Sequence, residues 1–406
     1  MAKTHRPQET LDEESLLLAL RAELAAVQAE NQRLRAQTKS VADANAHAAE
    51  LMVELEDARD QLEEQNAQLD VHNRFIRQTF GRYLTNEVVA SLLDDPTGLA
   101  LGGEKREVSL LMADLRGFTS LSERLSPEAV VKILNHYLGT MVDVILQHQG
   151  TIDEFIGDAI FVIFGAPGHQ ADHASRAVAC AVAMQLAMEE VNAYNQREDL
   201  PTVAMGIGVH TGEVVVGNIG SEKRAKYGVV GRHVNLTARI ESYTVGSQVL
   251  ISETTRQAVS EELTITNQLD IEAKGVDKPI TISEVRGING SYNLHLPEST
   301  ETLQRLQEAI ALQCAVVEGK HLGGALFPAR LVKLSDTSGE IHTDQPVMLW
   351  SNLKIQLPIL HTTGSSADVY AKVTRYPSEE HTQCTIHFTS VPPAVATFFA
   401  QQPRVR

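Results

Sequence analysis

The sequence predicts an α+β protein in three parts: a long helix, a central α+β sandwich and a small terminal β-barrel. Three observations predict it. A seven-residue apolar repeat runs unbroken from Leu20 to Ile76, strands and helices alternate from Val108 to about Arg286, and Ala325–Ser390 is rich in short strand patterns. At 406 residues the chain is too long for one ordinary domain.

The first segment reads as a parallel dimeric coiled coil. With Leu20 at position d, the d residues are Leu20, Val27, Leu34, Val41, Ala48, Leu55, Leu62, Leu69 and Ile76. The facing a positions are Leu17, Leu24, Asn31, Thr38, Asn45, Met52, Arg59, Asn66 and Asn73. Buried Asn at a costs stability, yet it disfavours shifted registers and higher oligomers, because its amide is satisfied opposite another Asn. From Phe75 to Leu93 the pattern stays helical but leaves the heptad, and Asp94-Asp95-Pro96-Thr97-Gly98 stops it.

Composition narrows the partners. A net charge of −17 argues against nonspecific binding to nucleic acid or an anionic membrane, though not against a nucleoside triphosphate, which needs only local positive charge. Cys180, Cys314 and Cys384 are too few and too scattered for a disulfide framework. No apolar stretch approaches the about 20 residues that cross a bilayer, and no signal peptide is expected at the start, so a cytoplasmic protein is expected.

In the central segment, Val108–Ala113 reads as a buried strand, and Ser126-Pro127-Glu128 opens a helix with an N-cap, a first-turn proline and an acid. Gly150–Phe155 and Ala159–Phe164 read as one hairpin. Val203–His210 and Val214–Asn218 read as another, turning at Thr211-Gly212-Glu213. Helices are expected from Asp172 to about Tyr194 and over Asn235–Tyr243.

Chemistry concentrates in three places. Asp114 ends the first apolar strand and is followed by Leu115-Arg116-Gly117-Phe118-Thr119; Asp158 sits in the turn of Phe155-Ile156-Gly157-Asp158-Ala159-Ile160. Two carboxylates at strand ends can share a pair of divalent metals. Asn235 and Arg239, in Val234-Asn235-Leu236-Thr237-Ala238-Arg239, fall at i and i+4 on one helix face. Alone, each aspartate would pass for a turn residue and Arg239 for a surface arginine.

Together these segments resemble the catalytic domains of class III nucleotide cyclases over roughly the middle half of the chain. The resemblance implies a ferredoxin-like α+β sandwich holding two divalent metal ions, Mg²⁺ or Mn²⁺, at Asp114 and Asp158, with Leu115 in the metal-binding strand end. It implies that Asn235 orients the ribose, that Arg239 stabilises charge on the α-phosphate, and that Lys274 contacts the triphosphate. Gly117, Phe118 and Thr119 would let phosphate approach main-chain N–H groups. It further implies a homodimer, joined through the catalytic domain and the coiled coil, in which the metal aspartates of each site come from one subunit and the base- and ribose-binding residues from the other.

The base is read at Glu154 and Gly228, where similar adenylate cyclases place Lys and an Asp or Thr. A carboxylate can accept both N1–H and N2–H of guanine, whereas it would face the N1 lone pair of adenine. Gly228 leaves room for O6, although many guanylate cyclases carry Cys there. GTP is therefore expected over ATP. Asp153-Glu154-Phe155 shares letters with the GGDEF signature of diguanylate cyclases, but Thr151 and Ile152 stand where its glycines would, which sets that reading aside. His210 reads as structural, having no second ligand at zinc spacing. A catalytically silent scaffold is the alternative of another class; retention of Asp114, Asp158, Asn235 and Arg239 argues against it.

In the last segment strands are expected at Ala329–Leu334, Val347–Leu349, Leu353–Leu357, Asp368–Val373 and Thr385–Phe388, after a connecting helix over Glu301–Val317. Leu334-Ser335-Asp336-Thr337-Ser338-Gly339 and Thr385-Ile386-His387-Phe388 resemble PilZ domains, many of which bind cyclic di-GMP. The Arg-x-x-x-Arg of the binders is absent and Lys333 replaces an acid, so a PilZ-like barrel without that ligand site is expected. The expected divisions are 1–78 (coiled coil), 79–105 (connecting helical element), 106–288 (cyclase domain), 289–318 (linker and helix) and 319–406 (barrel).

Overall fold

The computed structural model describes residues 9–80, 101–271, 279–298, 302–318, 321–322, 326–357, 368–377 and 381–405. Lys274 and most of the connecting element lie outside them. The chain divides into two units, Met1–Arg82 and Tyr83–Arg406.

The first unit is one helix, α1 (Glu9–Phe80), of 72 residues. Its d-position stripe faces solvent: Leu20, Leu34, Leu55 and Leu69 are all more than half exposed.

The second unit opens with β1 (Gly102–Leu115), the short helix α2 (Phe118–Ser122) and α3 (Pro127–Gln147). Ser126 caps α3 by accepting from the Ala129 N–H, with Pro127 in the first turn. Then come β2 (Thr151–Ile156), β3 (Ala159–Phe164), α4 (His173–Arg197), β4 (Met205–Ser221), β5 (Arg224–Val230) and α5 (Arg232–Ser242). The domain closes with β6 (Gln248–Ser252), α6 (Glu253–Ala258), β7 (Leu263–Ile271), β8 (Ile280–Ile288) and β9 (Leu294–His295). The sheet order is β2-β3-β1-β4-β6-β8-β7, with β5 added to β4 and β9 to β8.

Both faces of its centre are covered, which explains the unbroken apolar run at Val108–Ala113. Leu111, Ala113 and Leu115 pack under α3 and α4 with Ile133, Tyr137, Met141 and Val182. Val108, Leu110 and Met112 face the other way, toward Phe161, Val214 and the α5 residues Val234 and Ala238. Helix α3 has the length and mean hydropathy, 1.4, of a membrane-crossing helix, contrary to the sequence expectation that no such stretch exists. Here its Ile133, Tyr137, Met141 and Ile145 are buried in the domain core.

The expected second hairpin is absent. β4 runs straight through Thr211-Gly212-Glu213, each paired with β1, at Ser109, Val108 and Glu107. Gly212 is there for close approach: a Cβ would lie 2.4 Å from Nδ1 of His233. His210 is held between Ser252 Oγ and His233 Nδ1, each at 2.7 Å, and burial together with the nearby His233 lowers its pKa to about 3.

The remaining chain forms β10 (Gln304–Glu318), β11 (His321–Leu322), β12 (Phe327–Leu334), β13 (Ser338–Thr343), β14 (Asn352–Gln356), β15 (Val369–Arg375), β16 (Gln383–Ser390) and α7 (Pro393–Ala400). The order β10-β12-β13-β16-β15-β14 closes into a six-stranded barrel because β14 returns to β10. Two expectations are corrected. The helix over Glu301–Val317 is the strand β10: Leu306, Ile310 and Cys314 fit helical spacing, but being four residues apart they also share one face of a strand, and with Leu312 they bury in the barrel. Val347–Leu349 is a turn, apolar because Val347 plugs the barrel core.

Candidate active site

The end of β1 and the β2–β3 turn bring Asp114 and Asp158 together. Burial, then the neighbouring Asp114 carboxylate, pushes Asp158 up to about 7, against main-chain hydrogen bonds from Asp158 and Leu115. Two carboxylates close enough to share a hydrogen bond repel unless a proton or a cation lies between them. That all-oxygen pair fits hard divalent ions such as Mg²⁺ or Mn²⁺. Among the described residues, no cluster of three or more His, Cys, Asp or Glu offers another metal site.

Arg116 is the residue that sequence reasoning missed here. Its Nη2 donates to Asp114 Oδ2 at 2.9 Å and also pairs with Glu241 at the end of α5. Burial raises Glu241 to about 7, although Arg116 opposes the shift. No local signal links positions 116 and 241; only the fold does. Gly117 then turns with φ 67°, a conformation that favours glycine, and starts α2, so the first N–H groups at Phe118 and Thr119 lie in a first helical turn.

On α5 the buried face is Thr237, Ile240 and Glu241. Asn235 is exposed and Arg239 partly so. Among the described residues, no hydrogen bond or ion pair joins either of them to Asp114 or Asp158 within the chain.

The second cluster lies at Glu154 and Gly228, on β2 and β5. Asp153 is the extra residue of a bulge between Ile152 and Glu154, and bulges re-aim side chains. Lys226 Nζ reaches both neighbours, 2.6 Å from Asp153 Oδ2 and 3.1 Å from Glu154 Oε2. On the side where a side chain would project, Gly228 faces Asp153. A Cβ there would lie 2.5 Å from Asp153 Oδ1, an atom that is buried with no hydrogen-bond partner. Burial raises the Asp153 pKa, and the Lys226 hydrogen bond opposes it. Sequence reasoning missed Asp153 and Lys226, yet a signal existed: Lys226 and Gly228 are two apart on a strand and share a face.

Residues 103–284 match the family model for the adenylate and guanylate cyclase catalytic domain. The chain is similar to adenylate cyclase 1 of Rhizobium meliloti, 31% identical over 217 residues that are 53% of this chain and 33% of that protein. It is 56% identical to the crystallised guanylyl cyclase Cya2, covering 48% of this chain and 100% of that one, with a TM-score of 0.48. It is 32% identical to the adenylyl cyclase CyaB from P. aeruginosa, again over 48% of this chain and 100% of that one, with a TM-score of 0.45. The chain spans about a third of the length of the curated relatives it matches. Residues 103–284 of this chain are a catalytic domain of the adenylate and guanylate cyclase family.

Proposed function

We propose that this chain is a guanylate cyclase, converting GTP to 3′,5′-cyclic GMP and pyrophosphate. The observation that carries the reading is Glu154 beside the ammonium of Lys226, at 3.1 Å. Glu154 can accept from guanine N1–H and N2–H. An ammonium has three donors, so Lys226 can hold both carboxylates and still donate to O6. Adenine would set its N1 lone pair against Glu154 and its N6 donor against Lys226, so the pair favours guanine.

Metal bound at Asp114 and Asp158, with Leu115, would acidify the ribose 3′-hydroxyl and neutralise the phosphates. The chain's own residues do the rest. Asn235 orients the ribose, while the N–H groups of Gly117, Phe118 and Thr119 cradle phosphate oxygens, with Lys274 assigned to the triphosphate. As the bond from the 3′-oxygen to the α-phosphorus forms, the bond to the pyrophosphate oxygen breaks. Arg239 meets the charge that builds on the α-phosphate oxygens. Because Asn235 and Arg239 do not meet the aspartates within one chain, each site is completed by a second copy, aligned through α1. The barrel is assigned no cyclic di-GMP site: Lys333 is paired with Glu340 at 2.8 Å, and the arginine pair is missing.

Adenylate cyclase is the second reading, favoured by the names of two similar proteins. Full-length protein with Mn²⁺ or Mg²⁺, given GTP and ATP in parallel, decides between them. Cyclic GMP in large excess is expected; equal or greater cyclic AMP would sink the guanine reading.

A further inference from the structure

The barrel rests on the cyclase centre at both of its sides. Along β15, Val369, Ala371 and Val373 point into the barrel core, so Lys372 points out of it. An outward lysine should be solvated, yet Lys372 is 3% exposed. Its Nζ donates to the carbonyls of Ser242 and Thr244, at 2.5 and 2.9 Å. Ser242 is the last residue of α5 and Thr244 lies just beyond its C-cap Tyr243, where a cation is favoured by the helix dipole. Around it stand Arg116, Glu241 and Asp114.

Other contacts join the same two sides. The end of β16 meets the loop after Asp114: a Cβ at Gly117 would lie 2.3 Å from the Thr389 carbonyl oxygen, and Arg124 Nη2 donates to Ser390 Oγ at 2.9 Å. Beyond α5, Tyr243 meets Trp350 edge to face, centroids 5.8 Å apart. The barrel thus touches the loop that follows one metal ligand and the helix that carries Asn235 and Arg239.

We propose that the barrel is part of the catalytic apparatus, and that Lys372 is a positioning residue that fixes the end of α5, and with it the Asn235 and Arg239 that this chain contributes to a shared site, beside the Asp114–Gly117 loop that it contributes to the other. This rests on the cyclase reading but not on the choice of GTP over ATP. Lys372 lies outside residues 103–284, so nothing in the family match assigns it a role. A misplacement of about 1 Å at such a helix can cost about 100-fold in rate.

The test is Lys372→Met in the full chain, assayed with whichever nucleotide the wild type turns over faster. We expect kcat to fall about 10- to 100-fold, while the 3′-deoxy form of that nucleotide binds with wild-type stoichiometry and affinity. A merely structural defect would instead lose binding sites in proportion to activity. Unchanged or increased kcat in the folded variant overturns the proposal, an increase making the barrel a restraint. If Lys372→Met does not fold, Arg124→Cys/Ser390→Cys bridged by a reductively cleavable bis-maleimide replaces it, the native cysteines being buried. Activity retained on bridging supports the proposal; activity lost on bridging and restored on cleavage overturns it. A wild type inactive on both nucleotides would sink the cyclase reading itself.

Discussion

The two clusters of the site are built differently, although Asp158 and Glu154 stand on the same β2–β3 hairpin. At the metal end, Asp114, Asp158, Arg116 and Glu241 come from β1, the hairpin turn and α5, and Arg116 and Glu241 each have side chains only 10% exposed. Arg116 is shared between Asp114 and Glu241, so removing it leaves buried carboxylates unpaired, while Asp158 lies against the Asp114 carboxylate. At the base end, Glu154 on β2 is 48% and Lys226 on β5 44% exposed, and their ion pair joins two strands that are not paired in the sheet. Water can compensate a change there. On the proposed reading, the chemistry sits in the buried cluster and the choice of base in the exposed one, which is open to small numbers of substitutions.

The largest expected effect is at the rigid end and across the proposed dimer. Asp114→Ala and Arg239→Ala should each lower cyclase activity by on the order of 10²–10³-fold or more. Co-expressed, the two variants should regain activity toward half the wild-type level per heterodimer, since one site then draws a full set of residues. Isolated heterodimers that stay inactive would contradict the shared site.

Changing the base end should redirect rather than destroy. Gly228→Thr alone should impair turnover of both nucleotides, because its Cβ meets Asp153 Oδ1. Adding Asp153→Ala should recover activity, and adding Glu154→Lys should then shift preference toward ATP. No recovery on removing Asp153 would mean that the crowding at Gly228 is not what limits the variant.

A smaller effect concerns stability. Asp158 titrates near 7 in the fold, above its ordinary value, so the folded chain holds a proton that the unfolded chain releases. That contribution is complete below about pH 4 and is lost as pH rises through 7. Metal-free Asp158→Asn should therefore melt a few degrees above wild type at pH 8 and level with it at pH 4. Adding Mn²⁺ at pH 8 should raise the wild type only. Equal melting at pH 8 in metal-free buffer would show that Asp158 bears no such strain.

The smallest effect is expected from α1. Removing residues before Phe75 should leave activity intact at high protein concentration and lower it on dilution, as mass action requires of a shared site. Activity that survives dilution would place dimerisation elsewhere.

The strands and helices that carry the site were legible because local pattern and tertiary burial agree there. Ser126-Pro127 opened α3 as its cap chemistry requires, and the apolar runs around Asp158 formed the expected hairpin. Legibility failed where two periods coincide or where a contact is long-range. Leu306, Ile310 and Cys314 fit a helix as well as a bulged strand. Gly212 looked like a turn but serves the approach of His233. Arg116–Glu241 and Lys372–Ser242 join residues more than a hundred positions apart, and no sequence window contains them.

The central claim is that Glu154 reads guanine. Its most direct test is the ratio of kcat/KM for GTP to that for ATP, measured with full-length wild type and with Glu154→Lys at the same metal concentration. The account predicts a wild-type ratio well above one that falls by on the order of 10²-fold or more in the variant. A ratio unchanged by the substitution, in a variant that still turns over nucleotide, would contradict it.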